Sequence, residues 1–192
     1  MHRMDDIQRE IDAAVLSDVL IAREKVAIWI ESTSDLASLA KLYRLTGESY
    51  YRIQPELGRE KTCELIRRYL LECIRQNVSN REEIEGRWEA ARSLHAWFCH
   101  LSEQGDCSEE LTKASAAVTE LFLTSGEEVR AAIEQGFLEH ALEMTELRPY
   151  FEHWSADPRL QDAWERALEW GKAHPAFTWD LLKQLQKVRD EG

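Results

Sequence analysis

Residues 118–141 read Val118-Thr-Glu-Leu-Phe-Leu-Thr-Ser-Gly-Glu-Glu-Val-Arg-Ala-Ala-Ile-Glu-Gln-Gly-Phe-Leu-Glu-His-Ala141. Apolar side chains recur every three or four positions on both sides of a Thr-Ser-Gly break. Leu111, Ala114, Val118, Leu121 and Phe122 precede it, and Val129, Ile133, Phe137, Ala141 and Met144 follow it. That is the repeat of a helix with one buried face, and strand-like alternation is absent. Ser108 starts the first of these helices, with Glu109 and Glu110 in its first turn. Ser125 and Glu128 have the spacing of a capping box that opens the second. Two helices joined by so short a link are antiparallel neighbours.

The same rhythm extends upstream. Ile7, Ile11, Val15, Val19, Ala22, Val26 and Trp29 keep one phase and predict a single first helix. Ser34 is placed to cap a second, with Leu36, Leu39, Ala40 and Tyr43 inward and Gly47 at its end. Pro55 opens a third, whose inner face is Cys63, Ile66, Leu70, Cys73 and Asn77. Asn80 with Glu83 caps a fourth, carrying Ile84, Trp88, Ala91, His95, Phe98 and Leu101. Downstream, residues 147–154 read as an aromatic connector broken by Pro149. Asp157-Pro158 starts a seventh helix with Leu160, Trp164, Leu168 and Gly171 inward, and His174-Pro175 ends it. Thr178 begins the last, with Trp179, Leu182, Leu185 and Val188. The prediction is an all-α fold of about eight helices, in an antiparallel helical bundle or a short HEAT-like array. No linker or composition shift marks a boundary, so residues 1–192 read as a single all-helical domain.

Composition narrows the functional classes. Lys and Arg number 24 against 36 Asp and Glu, a net charge of −12, and 44% of residues are hydrophobic. The charge is uneven: residues 41–75 carry a surplus of three bases, whereas residues 101–146 carry eleven acids against Lys113 and Arg130. A field of that sign repels phosphates and anionic lipid and attracts a basic partner. No apolar run approaches the roughly 18 residues of a membrane helix. The start, Met1-His2-Arg3-Met4-Asp5-Asp6, has acids where a signal peptide has a basic head. Four cysteines without CxxC spacing read as reduced thiols. Together these point to a cytoplasmic protein.

Reactive groupings are sparse. The eight glycines are isolated, so no Gly-x-Gly or Gly-Lys-Ser/Thr phosphate loop exists, and there is no Gly-x-Ser-x-Gly elbow. Cys107 lies at a helix start that would favour its thiolate, but Asp106, Glu109 and Glu110 oppose that. His95 and Cys99 share a helix face, with His100 adjacent and Cys63 or Cys73 as further ligands for a tetrahedral zinc. On the apolar face between Trp88 and Phe98, the same residues read as core. His140 and Glu143 share another face, but neither Glu-x-x-His nor His-Glu-x-x-His occurs. The sequence therefore predicts no catalytic, cofactor-binding or metal residues.

Aromatic residues crowd the last third: Tyr150, Phe151, Trp154, Trp164, Trp170, Phe177 and Trp179. Most read as core. Trp170 stands about 120° off the inward stripe of its helix, which suits either a second internal interface or an exposed anchor for a partner.

Two likenesses follow from quoted residues. The stretch 118–141, a helix, an acidic turn and Glu-Val-Arg-Ala-Ala opening a second helix, resembles a HEAT-type hairpin. No second copy recurs at a fixed period. The order Val-x-Glu-Leu, Glu-Glu-Val-Arg, Gly-Phe-Leu-Glu, Leu-Arg-Pro-Tyr, closing with Trp164, resembles small all-helical bacterial proteins of immunity-like type over residues 117–164. That resemblance implies a binding protein rather than an enzyme and supplies no site residues. The expected function is a protein-binding module meeting a basic protein partner through Glu127, Glu128, Glu134 and Trp170. No nucleic acid or membrane partner is favoured, and a homo-oligomer stays open. The alternatives are a small-molecule or metal-binding helical enzyme and a transcriptional regulator. The second rests on a helix-turn-helix-like stretch at 36–53 with Arg44, Arg52 and Arg59 nearby.

Overall fold

A computed structural model describes residues 2–78 and 84–174, with the side chains of residues 2–5 left aside. Among the described residues it holds nine α-helices and one pair of two-residue strands, the all-α class expected. The expected cap at Asn80 and Glu83 and the last helix, with Phe177 and Trp179, lie outside the described residues. The chain forms two compact units, Met1–Ala90 and Ala91–Gly192.

The first unit holds α1 (His2–Val15), β1 (Ile21–Ala22), α2 (Arg23–Ser32), α3 (Leu36–Glu48), β2 (Ile53–Gln54) and α4 (Arg59–Gln76). Ile11, Val26, Trp29, Ile30, Leu42 and Leu65 form its core. The single first helix expected over Ile7 to Trp29 is two helices. Its rhythm continues in phase through a non-helical stretch at 16–20, followed by β1, which pairs in parallel with β2, Ile21 opposite Ile53. The cause lies far along the chain. Arg52 is 4% exposed, and its guanidinium donates to the carbonyl of Ala14 at 2.6 Å and that of Val19 at 3.3 Å. An arginine from a later turn thus takes a carbonyl from the last turn of α1 and another from the stretch that follows it, and so fixes the exit of the chain.

Other starts differ by a few residues. Asp35, not Ser34, caps α3, its carboxylate accepting from the Ser38 amide at 2.8 Å. α3 continues through Gly47 to Glu48, and α4 begins at Arg59 after Gly58 rather than at Pro55. Asn77 closes α4 in the left-handed region (φ 52°) instead of lying on its inner face, because an Asn there tolerates the conformation a helix end requires.

The second unit comprises α5 from Ala91 onward (helix bounds Arg87–Gln104), α6 (Ser108–Thr124), α7 (Glu127–Ile133), a π-helical turn (Glu134–Leu138), α8 (Glu139–Glu143), a 3-10 helix (Arg148–Ala156) and α9 (Gln161–Ala173). Ile84, expected on the fourth helix, precedes α5. Ser125 ends α6, and Gly126 rather than Ser125 precedes α7 without a side-chain cap. Backbone angles stay helical from α7 through the π turn into α8, so this is one rod with a widened turn. Pro149 does not break the connector. It sits in the first turn of the 3-10 helix, where a missing N–H costs nothing. Asp157 and Pro158 lead into α9 through a turn in which the Leu160 and Gln161 amides donate to the Asp157 carbonyl, each at 2.9 Å.

Aromatic rings fill this unit's core. Phe98 meets Phe137 at 4.9 Å between centroids, and Phe137 meets Phe151 at 5.5 Å. Trp154 packs on Phe122 at 4.9 Å while its indole N–H donates to Thr119 Oγ1 at 2.7 Å, so a large ring is buried without an orphaned donor.

Arginines close helix ends in both units. Arg68 donates to the carbonyls of Ile30 and Thr33 at the end of α2. Arg87 reaches Ile74 at the end of α4 (2.8 Å), Arg130 reaches Phe122 at the end of α6 (2.9 Å), and Arg148 reaches Leu142 at the end of α8 (2.8 Å). Each places a cation at the negative end of a helix dipole. Replacing Arg52 by Met removes the donors that the Ala14 and Val19 carbonyls use and should lower stability by about 2 kcal/mol. Urea unfolding at neutral pH reads this. An unchanged midpoint for Arg52→Met would show that water serves these carbonyls equally well.

Candidate functional site

The clearest chemically differentiated surface of the second unit lies where α9 crosses α8. Gly171 makes the crossing possible. A Cβ there would stand 2.7 Å from both the carbonyl carbon and oxygen of Leu142 and 2.9 Å from the amide nitrogen of Glu143. With α9 seated so closely, the residue before it, Trp170, emerges at the edge. It is 39% exposed. Its ring stacks on His174 at 4.0 Å, with 22° between the planes.

One turn earlier on α9, Arg166 grips Glu134 of the π turn with two bonds of 2.6 and 2.9 Å. The Glu134 side chain is 13% exposed and that of Arg166 59%. Glu139, Arg166, Glu169, Trp170, Ala173 and His174 line an open hollow of about 310 Å³. Burial, and next the charge of Glu134, hold the Glu139 carboxyl above its ordinary range, against partial relief from His140. The hollow therefore sets a half-exposed aromatic ring, one face of which His174 covers, beside two carboxylates, Glu139 and Glu169, while its arginine is already occupied by Glu134. This suits a cationic side chain, which gains from the ring quadrupole and the carboxylates together.

Of the residues singled out in the sequence, Trp170 lines this hollow and Glu134 joins its edge through Arg166. Glu127 and Glu128 are exposed at the opposite end of α7, in its first turn, and do not line it. Glu139, Glu169 and His174 were not singled out. Their signal was available in part: positions 166, 169, 170, 173 and 174 share one helical face.

A larger hollow of about 470 Å³ lies in the first unit against α1 and α3. Its charges are matched internally: Lys41 bonds Asp12 at 2.6 Å, Arg44 lies 3.7 Å from Glu48, and Arg52 serves carbonyls. Three further bases of residues 41–75 are similarly engaged: Arg68 serves carbonyls, and Lys61 and Arg75 pair with carboxylates. Lys61 reaches Glu31 and Glu64, both at 2.8 Å, and Arg75 reaches Glu72 at 2.6 Å. Cations bound in this way offer little to a phosphate backbone.

All four cysteines are buried and none is in a disulfide. Cys63 and Cys73 belong to α4 in the first unit, whereas His95 and Cys99 belong to α5 in the second. Among the described residues, no three His, Cys, Asp or Glu side chains converge on a metal position. Nor is any helix long and apolar enough to cross a membrane.

Fold and hollow together define an all-α protein with an aromatic side chain set among carboxylates at a helix crossing. No family model matches the chain, and neither does a curated protein or a solved structure.

Proposed function

We propose that this chain is a protein-binding module that receives a basic segment of a partner protein at the Trp170 edge. The observation that carries the reading is the exposed indole beside Glu139 and Glu169, with Arg166 neutralised by Glu134. A lysine or arginine of the partner would lie over the ring and bond a carboxylate, and the excess of acids over residues 101–146 would steer the approach. An immunity-like protein that covers a basic surface of a toxin is the concrete form of this reading. The resemblance over residues 117–164 supports it, and cytoplasmic residence would suit it.

The test is calorimetric titration of the full chain with a lysine-rich peptide and with an acidic peptide of equal length. The lysine-rich peptide should bind, with an affinity that falls as salt rises. Trp170→Ala should weaken binding about tenfold, the ring's share being on the order of 1–2 kcal/mol. Equal affinity in the variant, or indifference to ionic strength, would refute the reading.

A further inference from the structure

The second unit gathers two soft sulfur donors and an imidazole nitrogen that the Trp170 hollow does not use. His95 and Cys99 lie one helical turn apart on α5, with His95 Nε2 3.2 Å from Cys99 Sγ. Met144, which closes α8, brings its Sδ to 3.1 Å from the same Sγ. The His140 ring stands 5.7 Å from that of His95, centroid to centroid, and its Nδ1 is 3.0 Å from Glu143 Oε1. Cys99 is 6% exposed, and His95, His140 and Met144 are half-buried.

The third donor is a thioether, and this decides the class of metal. Zinc, magnesium and calcium take nitrogen, thiolate or oxygen ligands, whereas thioether with thiolate and imidazole suits a soft monovalent cation. We propose that His95, Cys99 and Met144 form a binding site for Cu(I).

The donor spacing supports it. A trigonal site with bonds of about 2.0–2.3 Å has edges of roughly 3.7 Å, and the two edges that meet at Cys99 Sγ, 3.2 and 3.1 Å, would need to lengthen only slightly to reach it. Binding is a simple exchange. The Cys99 thiol loses its proton to water, its thiolate bonds the cation, and nothing is oxidised or reduced. The resulting Cu–thiolate pair is neutral, which lowers the cost of placing it in a mostly buried position. His95 already turns Nε2 toward Cys99 Sγ, and this is the nitrogen that would bond the cation.

Anaerobic titration of the full chain with Cu(I), in competition with a chromogenic Cu(I) chelator, tests the site. One tight equivalent is expected. Loss of groups merely adjacent to metal ligands costs about 10–100-fold in affinity, so Cys99→Ser should weaken binding at least about 100-fold. Met144→Leu, which keeps side-chain volume, should weaken it about tenfold or more while circular dichroism stays unchanged. Cys63→Ser, a thiol on α4 of the other unit, should leave the tight equivalent intact. The proposal is overturned if Cys99→Ser or Met144→Leu binds Cu(I) as tightly as the parent chain, or if Cys63→Ser abolishes the tight equivalent.

Discussion

Gly171→Ala should lower the stability of the second unit by on the order of 3 kcal/mol. In an isolated helix the same change would be favourable by about 1 kcal/mol, since alanine is the better helix former. Here the added methyl would meet the Leu142 carbonyl at 2.7 Å and the Glu143 amide at 2.9 Å. Those are backbone atoms inside α8 and cannot swing aside like the end of a flexible side chain. α9 must therefore lift, and the seam next to buried Ala163, Trp164 and Ala167 opens with it. The expected thermal shift is a loss of about 10 °C. Gly47→Ala is the matched control: it is also a helical glycine, with nothing within 4 Å of its Cβ position, and should raise stability by about 0.5–1 kcal/mol. The same lift would separate Trp170 from Glu139, so Gly171→Ala should also lose affinity for a lysine-rich peptide beyond what partial unfolding explains. If Gly171→Ala melts with the parent chain, α9 does not approach α8 as closely as described.

Which parts of this were legible beforehand depends on the range of the interaction. Helical class follows from apolar spacing, a local signal, and so does the burial of Phe122, Phe137, Phe151, Trp154 and Trp164. Trp170 also falls out of local geometry, since an angle of about 120° from the inward stripe leaves a ring at the edge of its helix. The break after Val15 was illegible for the opposite reason. Val15, Val19, Ala22 and Val26 stay in phase across it, and the group that ends the helix, Arg52, comes 38 positions after the carbonyl it captures. Arg68 closes α2 from 38 positions away in the same manner. Their role is invisible in composition, where they counted toward a surplus of bases. The acids show the same limit. Glu134, Glu139 and Glu169 look alike on a helical wheel, as solvated carboxylates. Only the crossing of α9 over α8 separates one that grips Arg166 from one whose charge is left poorly compensated.

In the first unit, stability should fall steeply above pH 9. Cys73 is fully buried on α4, and burial pushes its thiol up to about 12, with the charge of Glu85 adding to the rise and a hydrogen bond from Tyr69 opposing it. Tyr69, one turn earlier, is itself raised, chiefly by burial, and stacks on Tyr43 at 4.4 Å. Below the ordinary thiol pKa both folded and unfolded chains hold the Cys73 proton, and the contribution is fully present. As pH rises past it, the unfolded chain releases the proton while the folded chain keeps it, so unfolding gains about 1.4 kcal/mol per pH unit. The loss continues until the folded thiol also ionises near pH 12, for a total on the order of 4 kcal/mol. Above pH 10 the tyrosine adds in the same direction. Cys73→Ala removes the thiol titration and leaves a small cavity, so the variant should be the less stable at pH 7 by about 1 kcal/mol. Its stability should then decline more slowly, and the two urea-unfolding free energies should converge and cross between pH 9 and 11. Curves that stay parallel over that range would mean the thiol ionises as readily in the folded chain as in the unfolded one, and that Cys73 is not sealed from water by α4 and its neighbours.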